Sequence, residues 1–575
     1  MKRIAILSIS IIILALSFGC SDFLNVKPQG IIGDAELSTP ENIDGFIIAA
    51  YAQLANDHYT VPNLLWPYGD LRAGDAYKGG DGPADIAIFH AFEIFSTIQP
   101  DMSAYSPSVL GDLNNKKWER QFVGISRVNL ALNRLKDLTV KAYPKKLERE
   151  AELRFLRGHY YFDLKILYNR IPYFDETATV ADILATSNVA LTSSALWDKI
   201  AEDFRFAADN LPELQTDKGR PDKYTAKAYL AKVLLYQAYE QDENYNVINI
   251  NHSKLTEVVS LIDEIIGSNH YKLTDDFAEN FLCEYENGPE AVWSIQRSIN
   301  DGTLTGNLDF SAMLSAPMSN EYGCCWFHIP SQNLVNAFKT DADGLPMFDV
   351  FNNTDLDLNT NTVDPRLNHT VAMPNLPWKY ETQLIYTVKD WTRRPDIYGN
   401  FSSLKENVSP YCECFKRIPP FMSSSKNTIL IRYSDVLLWK AEALIELDHL
   451  DEARIIINEI RQRAKSSTGR LHYADGTPLA NYNISTYSSF PNKEFARKAL
   501  RMERRLELAE EGIRFFDLVR WGIAKETMDE YFQTEKLKRA YLVDAAFVKG
   551  KHEYLPIPQQ QIILSKGLYK QNPGY

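Results

Sequence analysis

Residues suited to chemistry concentrate in two stretches. The first is LLWPYGDLRAGDAYKGGDG, Leu64 to Gly82, which gathers Trp66, Tyr68, Asp70, Arg72, Asp75, Tyr77 and Lys78. The second runs from about Asn300 to Asn427 and carries Trp326, Trp378, Trp391, Arg394 and Tyr398 among many Asn, Thr and Pro. Tyr and Trp present a flat apolar face with a polar edge, which suits amphipathic ligands such as sugars. Close-set Asp and Arg add directional hydrogen bonding. The expected ligand contacts are therefore Trp66, Tyr77, Trp326, Trp391 and Tyr398, with Asp70, Arg72, Asp75 and Arg394 as polar partners. The competing readings are core packing for any single Trp, and a solvated loop for the Gly- and Pro-rich stretch, which is not expected to form a regular helix.

Catalysis finds little support. Glycoside hydrolysis needs two carboxylates across a cleft, one of them protonated. Glu503, Glu507 and Glu510 are instead neighbours on one helix beside Arg504 and Arg505, whose charge favours ionised carboxylates. The sequence contains no G-x-S-x-G elbow, P-loop or H-E-x-x-H motif. His159 lies in a helical run and reads as structural. DADG, Asp341 to Gly344, lacks the ligand spacing of a calcium loop. Beyond Cys20 the cysteines are Cys283, Cys324, Cys325, Cys412 and Cys414. Neighbours within each close pair cannot easily bond each other, and Cys412-Glu413-Cys414 alone is a poor zinc match. Buried thiols are expected, with a bridge from Cys324 or Cys325 to Cys412 or Cys414 left open. No metal and no cofactor is expected.

The elements that must position these residues are helical. Phe495, Ala499, Met502, Leu506, Ala509, Ile513 and Phe516 share one stripe at four- and three-residue spacing. The opposite faces carry Arg497, Lys498, Glu503, Arg504, Arg505, Glu507, Glu510 and Glu511, which reads as a core helix with a charged outer face. Gly512 is the expected break. Further helices are expected after Thr39-Pro40, over Leu113 to Leu138, from Pro144, over Ala195 to Asn210, Thr225 to Glu240, Lys254 to Ile266 and Ile429 to Ala464. AEALIELDHLDEA, Ala441 to Ala453, fits a tetratricopeptide helix–turn–helix, with Ala443 and Ala453 where helices approach closely. EAVWSIQRS, Glu290 to Ser298, reads as a strand.

The chain has 575 residues, 45 % apolar and 24 % charged, with a net charge of −13. That balance argues against nucleic acid, which needs a basic face, and against a polybasic membrane patch. The N-terminus reads Met1, Lys2, Arg3, an apolar run from Ile4 to Phe18, then Gly19-Cys20. This is a secretory signal whose apolar core is too short for a membrane span of about 20 residues. Gly19-Cys20 looks like a bacterial lipobox with Cys20 as the acylated residue, although Ser17 and Phe18 depart from the usual pattern.

Taken together, six ordered segments resemble the SusD/RagB family of nutrient-binding outer-membrane lipoproteins. They are Cys20 to Pro28, Arg154 to Phe174 (RFLRGHYYFDLKILYNRIPYF), Asp364 to Leu367, Arg432 to Ala464, Glu503 to Gly522 (ERRLELAEEGIRFFDLVRWG) and Leu555 to Tyr575 (LPIPQQQIILSKGLYKQNPGY). Gln561 and Ser565 stand where the family usually has Glu and Asn. The resemblance implies a mainly α, tetratricopeptide-like superhelix with a loop-rich inserted lobe and a few short strands. Its divisions are a signal peptide (1–19), a lipidated tether (20–38), an N-terminal helical region (39–299), the ligand lobe (300–428) and C-terminal repeat helices with the signature (429–575). It further implies a surface lipoprotein of the outer membrane that captures a glycan without cleaving it. The partner would be a SusC-like TonB-dependent transporter, docked on the helical face. The rival readings are a protein-binding scaffold and a surface glycoside hydrolase.

Overall fold

The computed structural model describes residues 37–55, 65–105, 111–303, 306–310, 312–418 and 421–575. The signal sequence, Cys20 and nearly all of the tether lie outside these. No helix among the described residues is long and apolar enough to cross a membrane.

The protein is mainly α. Helices α1 (Pro40–Ala55), α2 (Trp66–Ala73), α3 (Leu113–Lys136), α4 (Lys146–Tyr168), α5 (Ser193–Asn210), α6 (Lys223–Ala238), α7 (His252–Gly267), α8 (Tyr433–Glu446), α9 (Leu450–Ser466), α10 (Lys493–Glu507) and α11 (Arg514–Arg520) form its frame. Side chains of Asp112, Thr192, Asp222 and Asn251 cap α3, α5, α6 and α7 by accepting from first-turn amides. From α3 to α9 each helix packs on its predecessor, the array resuming at α8 on α7 after the long insertion, and α10 packs on α8. This is the tetratricopeptide-like superhelix the periodicity predicts. Small residues set the approach: a Cβ on Gly158 of α4 would meet the Phe204 ring of α5 at 2.9 Å.

Strands are short and pair in two- or three-stranded sheets. The strand expected after Glu290 is Ala291–Ile295, and it pairs antiparallel with Thr428–Arg432. Ile429 to Arg432 are expected to begin a helix; their β-branched residues instead pair with that strand. The inserted region is not structureless. Besides short helices it holds Phe327–Pro330, which pairs antiparallel with Ala76–Gly79 in the register Tyr77 to Ile329. One core runs through the helical array. A second surrounds Trp326, Tyr77, Tyr398 and the α10 stripe at Met502, Leu506 and Ala509. A third surrounds Trp378, Trp391, Tyr322 and Tyr386.

The stretch from Leu64 corrects the expectation of an irregular loop. Trp66–Ala73 is helical because Pro67 falls in the first turn, where a missing N–H costs nothing, and Gly74 ends it at φ +71°. The signature helix also ends earlier than expected, at Glu507 rather than Gly512.

Candidate functional site

The fold does bring the two predicted stretches together, through the pairing of Tyr77 with Ile329 and the contact of Lys78 with the Tyr398 ring at 5.8 Å. It turns them inward. Trp66, Asp70, Arg72, Asp75, Tyr77, Trp326, Trp391 and Tyr398 are all buried. Trp66 stacks on His328 at 4.6 Å, and Trp326 donates its indole N–H to Ser402 Oγ at 2.8 Å. Tyr77 donates its hydroxyl to Glu535, and Trp391 packs at 5.0 Å against Trp378. Arg72 lies over the Phe515 ring at 4.0 Å and donates to the His552 carbonyl. Apart from Trp66, which lines an internal cavity of about 160 Å³, these side chains are enclosed by protein, where burial of large aromatics is favourable. Arg394 alone reaches solvent, beside Asp81 and in a paired contact with Asp396 at 2.8 and 3.0 Å.

Glu503, Arg504, Arg505, Glu507 and Glu510 of the signature are buried as well, against the expectation of an outer face, while Arg497 and Lys498 stay partly exposed as expected. Arg366 donates to Asp364, Glu503 and Glu507, and Arg432 to Glu290, Glu507 and Glu511. Arg463 joins Glu290 to Glu507, and Arg461 binds Glu503. Burial opposes ionisation of Glu290, but Arg463 and Arg432 hold it down to about 2. The same kind of neighbours keep Glu507 well below the usual carboxylate range despite burial. Burying so many charges is tolerable only because each has opposite partners at hydrogen-bond distance.

Glu510 departs from that pattern. It sits at φ +62° beyond the helix end, and burial pushes its carboxyl up. It faces His328 at 3.4 Å. Burial disfavours a charged His328, but Glu510, Glu406 and Asp70 outweigh it and raise the imidazole well above its ordinary value. The ring donates to Asp70 at 3.0 Å and to Glu406 at 2.9 Å. The sequence marks Asp70 and Glu510 but not His328, which has no motif around it.

A more open cavity lies elsewhere, between the lobe and the segments that flank it. A cavity of about 670 Å³ is lined by Phe281, Lys379, Tyr380, Tyr411, Cys412 and Arg470, among others. Tyr411 stands 70 % exposed at its edge. Tyr285, 39 % exposed, accepts a 2.9 Å hydrogen bond from Arg470, whose guanidinium also lies over the ring at 5.5 Å. Burial depresses the Lys379 ammonium, which donates to the Leu404 carbonyl at 2.7 Å. Exposed planar rings beside fixed cations and carboxylates can take up a polyhydroxylated ligand, stacking on its apolar face and bonding its hydroxyls. Sequence reasoning missed both tyrosines: Tyr285 lies outside the two stretches singled out, and Tyr411 lies inside the second without a nearby Trp to mark it.

The cysteines are arranged differently from the expectation. Cys324 and Cys325 are disulfide-bonded neighbours, apart from the other three. Cys283, Cys412 and Cys414 converge on the wall of the cavity, their sulfur atoms all within 4.8 Å of one another.

Residues 289–575 match the model of the SusD family, and residues 87–235 match a second model described as starch-binding, associating with the outer membrane. This chain is a SusD-like family protein. SusD-like protein P38 of Formosa agariphila is 25 % identical over 551 residues, covering 92 % of this chain and 93 % of that one. Among solved structures, a laminarin-binding SusD-like protein has TM-score 0.66 at 23 % identity, covering 93 % of this chain and 100 % of its own. Surface glycan-binding protein A from Bacteroides thetaiotaomicron, in complex with laminarihexaose, has TM-score 0.65 at 20 % identity, covering 93 % and 99 %. These likenesses span the helical array and the lobe alike, so the SusD-like fold extends over both.

Proposed function

We propose that this SusD-like protein is a lipid-anchored surface protein that captures a glycan and hands it, uncleaved, to a SusC-like TonB-dependent outer-membrane transporter. The observation that carries the reading is the lobe cavity of about 670 Å³ with the exposed Tyr411 ring at its edge and the Arg470–Tyr285 pair beside it. Family membership supports a binding role, and the association with the outer membrane in the family description supports the placement. Cys20 would carry the lipid, and the helical face would meet the transporter. Tyr411 and Tyr285 would stack on sugar rings while Arg470 and the cavity carboxylates bond hydroxyls. Arg394 does not line this cavity and remains a proposed peripheral contact; the eight buried residues would position the lobe. Capture without hydrolysis is supported by the guanidinium-paired state of Glu290, Glu503 and Glu507.

The test is native affinity electrophoresis of the full-length protein in detergent, through gels loaded with single polysaccharides. Laminarin comes first because it is named for a fold relative, followed by starch, levan, xylan, mannan and pectin. Retardation by one polymer, diminished in Tyr411→Ala and unaccompanied by reducing-sugar release, supports the reading. Reducing-sugar release would favour a hydrolase. A second reading, a peptide-binding scaffold, is favoured by the cleft of about 1030 Å³ lined by Trp197, Tyr236, Gln237 and Lys254. Retention of a peptide in place of every glycan, lost in Trp197→Ala, would select it.

A further inference from the structure

Two short segments, distant in sequence, build the tyrosine-bearing edge of the cavity, and both carry cysteine. Cys283 opens the 3₁₀ turn Cys283–Tyr285, so its backbone positions Tyr285 directly. Cys412 and Cys414 follow Tyr411 in a turn closed by hydrogen bonds from Cys412 N to the Ser409 carbonyl and from Phe415 N to the Cys412 carbonyl. The Ser409 hydroxyl donates to Glu381 at 2.6 Å, which holds the far side of that turn. Cys414 lies within disulfide reach of both Cys283 and Cys412, the three sulfur atoms being within 4.8 Å of one another. A sulfur atom forms one disulfide, so the two links exclude each other and each leaves one thiol of the three free.

We propose that Cys283, Cys412 and Cys414 form an exchangeable disulfide that sets the spacing of the Tyr285 and Tyr411 platforms; this rests on the binding reading above. With Cys283 joined to Cys414, the bond spans 131 residues and ties the two tyrosine segments together. With Cys412 joined to Cys414, the bond closes only its own turn and the tie is gone. The states interconvert without an external oxidant. The Cys283 thiolate attacks Cys414 Sγ of the Cys412–Cys414 disulfide; the Cys283–Cys414 bond forms, the Cys412–Cys414 bond breaks, and Cys412 leaves as a thiolate that takes up a proton. Such attack requires the thiolate, so exchange quickens as pH rises toward the thiol range of about 8.5. Cys283 and Cys412 are partly exposed on the cavity wall, so solvent reaches the exchanging thiols.

The test maps disulfides in full-length protein quenched with N-ethylmaleimide in acid and digested without reduction. Two cross-linked peptides are expected, Cys283–Cys414 with alkylated Cys412 and Cys412–Cys414 with alkylated Cys283, approaching a common ratio faster at pH 8.5 than at pH 6. A single species unchanged across that range, or three alkylated thiols, overturns the proposal. Cys412→Ser then fixes the long-range link and Cys283→Ser the local one. In affinity gels Cys412→Ser is expected to bind at least as well as the parent and Cys283→Ser about threefold to tenfold more weakly. Equal affinity of the two overturns the role in spacing. If no form binds any glycan, the binding reading fails, and with it the role in spacing, while the peptide map still decides the exchange. Should Cys283→Ser fail to fold, the map of the unsubstituted protein decides the exchange and Cys412→Ser still reports on spacing: binding weaker than the parent overturns it.

Discussion

Gly69 and Gly512 meet backbone to backbone: a Cβ on Gly69 would stand 1.9 Å from the Gly512 carbonyl oxygen. The Gly512 amide in turn donates to both carboxylate oxygens of Asp70, at 3.1 and 2.9 Å. This contact brings the early helix α2 against the turn that follows the signature helix. Gly69→Ala is therefore expected to destabilise the protein by about 2 kcal/mol or more, in the range of overpacked cores. Thermal unfolding checks it; an unchanged midpoint would mean the two backbones separate at no cost.

Glu507 is enclosed by Arg366, Arg432 and Arg463. Glu507→Gln leaves three buried guanidinium groups short of countercharge and is expected to cost about 3–5 kcal/mol. Denaturant titration measures it, and a loss below about 1 kcal/mol would show the remaining carboxylates to suffice.

The same groups fix a pH dependence. Glu290 is held at about 2 in the folded protein against its ordinary 4.5. A depressed carboxylate contributes stability that is complete above its unfolded value and is lost as pH falls through its folded one. Stability from Glu290 and Glu507 should therefore decline as pH falls from about 4.5 toward 2. Chemical denaturation at stepped pH follows it, and in Glu290→Gln the decline should be shallower.

Trp326 is fully buried, with its indole N–H bonded to Ser402. Trp326→Ala is expected to lower stability by about 3–5 kcal/mol without altering glycan preference among the molecules that remain folded. A shift in preference at unchanged stability would return Trp326 to the ligand.

Tyr411 makes the opposite case. At 70 % exposure its removal should leave the free energy of unfolding within about 0.5 kcal/mol of the parent. Glycan affinity should fall about fivefold, a stacking loss of about 1 kcal/mol. Affinity gels and calorimetry check both halves.

The helices were legible because burial of one face imposes a 3.6-residue period that needs no tertiary knowledge. The site was not. Trp66 and Trp326 carry the composition of a sugar platform, yet whether a ring faces outward depends on strand partners hundreds of residues away. Pro67 read as a helix breaker because its place in the first turn was not visible. The charged face of α10 read as solvated because Arg366, Arg432 and Arg463, which neutralise it, come from three other segments. Tyr285 and Tyr411 lie in plain strings, and Cys283 gains meaning only when the fold sets it beside Cys412 and Cys414.

Arg505 and Arg514 supply the countercharge of Asp75, with Arg505 at 2.8 Å. Arg505 is 430 residues further along the chain. A polypeptide made from its N-terminus must therefore carry Asp75 without this countercharge until Arg505 and Arg514 have emerged, whereas Glu290 and Arg432 can already pair with each other. The repeat helices can form from contacts with their chain neighbours as they appear, but the segment around Asp75 locks only when the C-terminal part of the chain arrives, so completion of the fold waits on its last elements.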